Sequence, residues 1–91
     1  MNADIYRDPF NTAVAEVLKE AVDRQMGVVR AAKLTGIPRS TLSRYLDGER
    51  DIPVAKLRLI SHTLNLDMST VLVQAQGRVE EDREGQSESV G

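Results

Sequence analysis

The sequence predicts an all-α fold, a compact bundle of about five short helices. Apolar residues recur at three- and four-residue steps in successive short stretches, which is the spacing of one face of an α-helix. Glycine and proline separate these stretches, as they commonly do between helices. The 91 residues are 41% hydrophobic, with two tyrosines and one phenylalanine as the aromatic residues. We therefore expect one small domain with an aliphatic core.

The first helix has two possible starts, Asp8 followed by Pro9, or Asn11. Both Asp8 and Asn11 offer a side-chain oxygen as an N-cap, and proline suits the first helical position. The helix is expected to end near Met26 and Gly27. Its apolar residues form one stripe and are expected to be buried: Val14, Val17, Leu18, Ala21 and Val22.

The second and third helices are predicted within residues 28–47, joined by a sharp turn at Gly36. Ala31, Ala32 and Thr35 share one face of the second helix, and their small side chains allow another helix to cross closely. Gly36 follows the helix end, where a left-handed backbone is common and where glycine has no Cβ penalty. The turn is therefore assigned to Gly36.

The third helix is expected over residues 38–46, because Pro38 has a preset φ that suits a helix start. Leu42, Tyr45 and Leu46 are spaced to pack inward. The opposite face is polar and rich in hydrogen-bond donors, and its outward residues are Arg39, Ser40, Ser43 and Arg44.

Residues 28–47 resemble the helix-turn-helix of the lambda repressor-like (Cro/XRE-type) family. In the twenty-residue pattern of that family the fifth position is small, the ninth is glycine, and the tenth, fifteenth and eighteenth are apolar. The resemblance implies a DNA-binding domain whose third helix enters the major groove. The matching residues are Ala32, Gly36, Ile37, Leu42 and Tyr45.

Two positions depart from the family pattern. Thr35 stands where members usually have an apolar residue, and Val28 stands where many have a glutamine that contacts a phosphate. That phosphate contact cannot be carried over to Val28. The string AAKLTGIPRSTLSRYL is also similar to the shorter motif of Fis-like and Pipsqueak-like homeodomain-type proteins, so the motif alone leaves three-helix and five-helix relatives open.

The sequence after the motif favours the five-helix fold. The third helix is expected to stop at Asp47 and Gly48, Pro53 to open a fourth helix, and Asp67 to cap a fifth that ends near Gly77. These last two helices resemble the fourth and fifth helices of lambda repressor-like domains. The predicted buried stripe of the fourth helix is Val54, Leu57, Ile60, Ser61 and Leu64, and the apolar pattern of the fifth continues with Met68, Val71 and Leu72.

The chain is expected to divide into three parts. Residues 1–10 form an N-terminal arm, residues 11–76 form the helix-turn-helix domain, and residues 77–91 form an acidic tail. The tail is polar and has few apolar residues, so we expect it to be disordered.

The positive charge of the chain is concentrated around the motif. The net charge of the whole chain is −2, but residues 27–58 contain seven Lys or Arg against three Asp or Glu, a net charge of +4. A local excess of cations of this kind favours contact with nucleic acid.

We expect two kinds of DNA contact. Arginine can bond guanine O6 and N7 as a pair, so Arg39 and Arg44 are candidate base readers, although exposed helix arginines are more often simply solvated. In the related fold, the loop after the third helix and the start of the fourth lie along the DNA backbone. The candidate base contacts are Arg39, Ser40, Ser43 and Arg44, and the candidate phosphate contacts are Arg30, Lys33, Thr41, Arg50 and Lys56.

The composition argues against several other functions. The sequence has no cysteine and one histidine, so we expect no disulfide, metal site or cofactor. No nucleophile, base and orienting group are suggested by spacing, so we expect no enzyme. There is no secretory signal or membrane-length apolar segment, so a cytoplasmic protein is expected.

Two functions remain. The first is a transcriptional regulator, a phage- or plasmid-like repressor that binds a two-fold operator as a homodimer. Its dimer interface is expected on the fifth helix, at Met68, Val71 and Val73. The alternative is an antitoxin or adaptor that autoregulates its gene and binds a basic protein partner through the acidic tail.

Overall fold

The computed structural model describes residues 8–90, with side chains described as far as residue 83. Within this range the chain is an all-α bundle without strands, as the sequence predicts. Residues 1–7, most of the expected N-terminal arm, lie outside the described residues. The helices are α1 (Pro9–Gln25), α2 (Val28–Thr35), α3 (Arg39–Leu46), α4 (Val54–Thr63) and α5 (Met68–Val90).

Helix α1 uses the first of its two possible starts. The carboxylate of Asp8 accepts a hydrogen bond from the N–H of Phe10 at 3.2 Å, and Pro9 is the first helical residue. This caps one of the amide groups that a helix start leaves without a partner. The predicted stripe of α1 is buried throughout and packs against α2, α3 and α5.

The core joins helices that are distant in the sequence. Complete burial of one large aliphatic side chain stabilises the fold by about 1.5–3 kcal/mol. Leu42 therefore attaches α3 firmly to the rest of the bundle. The largest fully buried apolar side chains are Leu18, Leu42, Ile60, Leu64, Val22 and Val71.

Helices α3 and α4 each begin one residue later than predicted. Pro38 and Pro53 have ψ angles of 140° and 147°, which are extended values, so each proline precedes its helix as the N-cap. Val54, expected in the buried stripe of α4, is 68% exposed. As the first residue of α4 it lies at the edge of an apolar cleft that Phe10 and Ile52 also line.

Helix α5 is longer than predicted. It does not end near Gly77 but continues to Val90, so the tail that was expected to be disordered is helical over residues 77–90. A glycine inside a helix costs only about 1 kcal/mol relative to alanine. Val71 and Ala75, before the glycine, are buried in the core. The domain boundary at residue 76 stays a prediction, and no helix end marks it.

Arg78 joins α5 to α1 just after this glycine. Its Nη2 and Nη1 donate to the two carboxylate oxygens of Glu20 at 2.7 and 2.9 Å, and Nη1 also donates to Glu16 at 3.3 Å. The hydrogen bonds from Arg78 to Glu20 lower the pKa of the Glu20 carboxyl from its usual value. Because both partners are partly solvated, the pair orients α5 more than it stabilises the fold.

Candidate nucleic-acid interface

The turn between α2 and α3 has the backbone that the motif requires. Gly36 has a φ of +76°, in the left-handed region, and its N–H donates to the carbonyl of Ala32 at 2.9 Å. Ala31, on the face that α2 turns toward the core, is buried. Ile37 follows the turn and is only 3% exposed. The direction of α3 relative to α2 is therefore set by one residue with positive φ and one apolar side chain.

Thr35 supports this turn with its hydroxyl group. Its Oγ1 donates to the carbonyl of Ala31 at 2.8 Å and accepts from the N–H of Ile37 at 3.2 Å. The N–H of Ile37 follows the end of α2 and needs a partner because Ile37 is buried. Thr35, one of the two residues that depart from the family pattern, thus has a structural role here. A threonine beside a helix-ending glycine is the local signal that could have identified it.

Helix α3 has one buried face and one exposed face. Leu42, Tyr45 and Leu46 are 0%, 6% and 4% exposed. The outward residues Arg39, Ser40 and Arg44 are exposed, as the helical spacing predicts. An exposed polar face on a helix whose other face is buried in the core can contact a duplex without rearrangement.

Ser43 and Thr41 are less accessible than the other candidates. Both are half-buried. Ser43 lines a small cavity between α1, α2 and α3, together with Lys19, Asp23 and Val28. Ser43 was predicted to point outward, but the packing of α1 and α2 beside it partly covers it. It lies at the edge of the exposed face.

The candidate DNA contacts include six exposed cations. Among residues with described side chains, the ion pairs involve Lys19 and Arg78, and none of the six takes part in one. Their charge is therefore not paired within the described part of the chain and is available to phosphate groups. The six are Arg30 and Lys33 on α2, Arg39 and Arg44 on α3, Arg50 in the following loop, and Lys56 on α4.

The loop after α3 lies close to α1. Gly48 has a φ of +75°, and its N–H donates to the carbonyl of Tyr45 at 3.1 Å. The N–H of Glu49 donates to the carbonyl of Arg44 at 3.0 Å. This is the Schellman arrangement of a helix C-terminus. Gly48 is buried, and a Cβ added there would lie 3.8 Å from the Cα of Thr12 in α1.

Arg50 is the one candidate of this loop, and two groups hold it. Its guanidinium carbon lies 6.0 Å from the centre of the Tyr45 ring, within the range of a cation–π contact. The side-chain amide of Asn11 accepts from the N–H of Ile52 and donates to the carbonyl of Arg50. The structure thus brings Arg50 together with Tyr45 of α3. The sequence marked Asn11 only as a possible helix start.

The candidate dimer residues on α5 differ in accessibility. Val73 is 71% exposed and Met68 is half-buried, but Val71 is 1% exposed. Val71 shares a helix face with Ala75, and both are buried in the core, α5 packing most extensively against α1. The prediction that Val71 lies in a dimer interface is therefore wrong, because its side chain is already used in the core. Met68 and Val73 stay predictions.

The remaining surface offers few groups for other chemistry. His62, the only histidine, is exposed on α4 and lines a shallow hollow with Arg58. Over the described residues, no group of three or more His, Cys, Asp or Glu side chains is arranged to hold a metal ion. None of the helices described is both long and apolar enough to span a membrane.

Comparison with known proteins identifies the family. A family model described as Helix-turn-helix matches residues 15–71, which is more than half of the chain. The match includes α2, the turn at Gly36, α3 and α4, and it ends within α5. No curated protein and no solved structure matches the chain. The family is regulatory and not typically enzymatic. The chain belongs to the Cro/C1-type helix-turn-helix family of DNA-binding regulators.

Proposed function

We propose that the protein is a sequence-specific repressor of transcription, of phage or plasmid type, that acts as a homodimer on a two-fold DNA operator in the cytoplasm. The observation that carries the proposal is the division of α3 into two faces. Leu42 is fully buried, while Arg39, Ser40 and Arg44 are exposed on the other side. Such a helix enters the major groove with its polar face toward the base edges.

The base contacts are proposed on α3. Arg44 is exposed in the last turn of the helix, and an arginine on this face can bond guanine O6 and N7 as a pair. Arg39 and Ser40 lie in the first turn, which in helix-turn-helix proteins is the part closest to the bases. Ser43 is proposed as a contact at the edge of this surface, because it is half-buried.

The phosphate contacts are proposed around α3. Cations on neighbouring elements neutralise phosphates, release counterions and set the register of the protein on the duplex. Their exposure and the absence of described ion pairs support this role. The proposed contacts are Arg30, Lys33, Thr41, Arg50 and Lys56, with Thr41 donating from its hydroxyl group.

A homodimer would double the length of DNA that is read. One recognition helix contacts only a few base pairs, and two of them in successive major grooves are about 34 Å apart. The exposed apolar side chain of Val73 supports a dimer surface at α5, and half-buried Met68, five residues earlier on the same helix, is proposed as its second contact. The revised interface leaves out Val71.

Selection of bound duplexes from random DNA tests the proposal, because it yields the operator if there is one. Arg44→Ala and Arg50→Ala are then titrated on operator and scrambled duplexes at several salt concentrations. We expect Arg44→Ala to cost about 1–3 kcal/mol on the operator and much less on scrambled DNA. We expect Arg50→Ala to weaken both alike and to reduce the log–log salt slope by about one.

Arg83→Ala is the matched control, since it removes one exposed cation from α5, beyond the segment that the family model matches. A selection that enriches no sequence would overturn the sequence-specific function. If Arg44→Ala weakened both DNAs equally with a shallower slope, Arg44 would be a phosphate contact. The base reader would then be sought at Arg39, Ser40 or Ser43.

A further inference from the structure

We infer that Asn11 on α1 is a positioning residue for DNA binding, which holds the loop after α3 so that Arg50 is presented to the DNA backbone. The inference rests on the proposed function, in which Arg50 contacts a phosphate. Asn11 itself needs no contact with DNA in this role. It acts through the backbone of the loop.

The hydrogen bonds of Asn11 join α1 to two points of the loop. Its Oδ1 accepts from the N–H of Ile52 at 3.1 Å, and its Nδ2 donates to the carbonyl of Arg50 at 3.4 Å. The two backbone groups flank Asp51, so one side chain restrains the whole of residues 50–52. An amide side chain suits this task because it carries a donor and an acceptor together.

This loop needs such a restraint because it has no helical hydrogen bonds of its own. Residues 51–53 have no regular structure. Backbone groups outside helices must find side chains or water as partners, and an unrestrained loop samples many conformations. The amide of Asn11 is half-buried and supplies protein partners instead.

The restraint places both ends of Arg50. Asn11 holds its carbonyl, and its guanidinium lies over the ring of Tyr45, which is 6% exposed and part of the core. An arginine that is already ordered loses less side-chain entropy when it binds a phosphate. Holding Arg50 in this way therefore favours its contact with a phosphate, although Asn11 itself does not contact the DNA.

A second attachment of the same loop limits what the loss of Asn11 can do. Gly48 lies against Thr12 and Ala15 of α1, and its positive φ belongs to the cap of α3. These contacts do not involve the Asn11 side chain. Replacing Asn11 should therefore release residues 50–52 and leave the end of α3 in place.

The test is a double-mutant cycle of Asn11→Ala and Arg50→Ala on a mixed-sequence DNA duplex, titrated at several NaCl concentrations. We expect Asn11→Ala to weaken binding and to reduce the log–log salt slope by up to about one. We expect the double variant to bind like Arg50→Ala alone, because the losses of binding free energy from two substitutions that act through one contact do not add. Losses that add would overturn the inference.

Gln25→Ala is the matched control. The Nε2 of Gln25 donates to the carbonyl of Leu64 at 3.0 Å, so it is also an α1 amide bonded to a backbone group 39 residues away. We expect its salt slope to equal that of the unmodified protein. A slope reduced as much as in Asn11→Ala would mean that loosening α1 anywhere has this effect, and the inference would be wrong.

A further variant covers the case in which Asn11→Ala does not fold. Asn11→Ser places a short, uncharged hydroxyl group in the first turn of α1 that cannot reach both backbone groups, so the same non-additivity is expected. The same measurements distinguish failure of the proposed phosphate contact of Arg50 from failure of the positioning role of Asn11. An unchanged slope in Arg50→Ala would remove the phosphate role of Arg50, whereas a reduced slope there with unchanged binding in the Asn11 variants would remove only the role of Asn11.

Discussion

The turns that enter and leave α3 share one backbone conformation but have different supports. Gly36 and Gly48 have φ angles of +76° and +75°. Around Gly36 there is open space, and no atom lies within 4 Å of an added Cβ. Gly48 is buried, and a Cβ added there would lie 3.8–3.9 Å from atoms of Thr12 and Ala15 of α1. The first turn depends on its own segment, and the second also depends on a helix more than thirty residues away.

The two turns therefore set different features of the interface, the direction of α3 and the position of the loop that follows it. The turn at Gly36 sets the direction of α3 relative to α2, and the hydroxyl of Thr35 supports it from the same segment. The turn at Gly48 brings the loop of Arg50 to α1. A substitution at either glycine loses stability because a side chain strains the left-handed backbone. At Gly48 the new side chain also meets α1, which adds a second loss of stability.

The largest effect is expected for Gly48→Val. A β-branched residue is strained at positive φ, and its Cγ atoms would extend toward Thr12 and Ala15. Together these should lower the free energy of unfolding by about 2–4 kcal/mol. Urea denaturation followed by circular dichroism measures this. A loss of unfolding free energy no larger than that of Gly36→Val would mean that contact with α1 does not contribute to the effect at Gly48.

A smaller effect is expected for Gly36→Val, because only backbone strain is added. The expected loss is about 1–2 kcal/mol, with a lower melting temperature and weaker DNA binding together. Gly36→Asn is the control, since asparagine tolerates the left-handed region better and should restore part of the loss. A melting curve unchanged by valine would contradict the assignment of the turn.

The smallest effect is expected for Thr35→Val, which keeps the shape of the side chain and removes the hydroxyl. The buried N–H of Ile37 then loses its acceptor, at a cost of about 1 kcal/mol. Thr63→Val is the matched control, because the hydroxyl of Thr63 only donates to the carbonyl of Leu59. Equal losses of melting temperature in both variants would show that the bond to Ile37 contributes nothing specific.

The sequence predicted those parts of the candidate interface that depend on neighbouring residues. The buried and exposed faces of α3 follow from the three- and four-residue spacing, and the turn follows from Gly36. The exposed positions of Arg39 and Arg44 agree with that spacing. Ser43 has the same periodicity, but its accessibility depends on how α1 and α2 pack beside it, which no local pattern encodes.

Helix α5 illustrates the opposite case. A glycine followed by acidic residues predicts a helix end by its local preference, and Gly77 is nevertheless helical. The two carboxylates that bind Arg78 lie about sixty residues earlier in the chain, on α1. Val71 and Val73 look alike in the sequence, but only Val71 faces the core.

By itself, the sequence determined the all-α class, the turn at Gly36 and the polar face of α3, because helical period and glycine conformation are properties of short segments. Only the tertiary structure decided that Asn11 holds the loop of Arg50, that Gly48 lies against α1, and that Val71 is buried. The physical reason is the same for all three. Contacts between distant residues depend on how the helices pack, and side-chain spacing within one helix does not specify its partner.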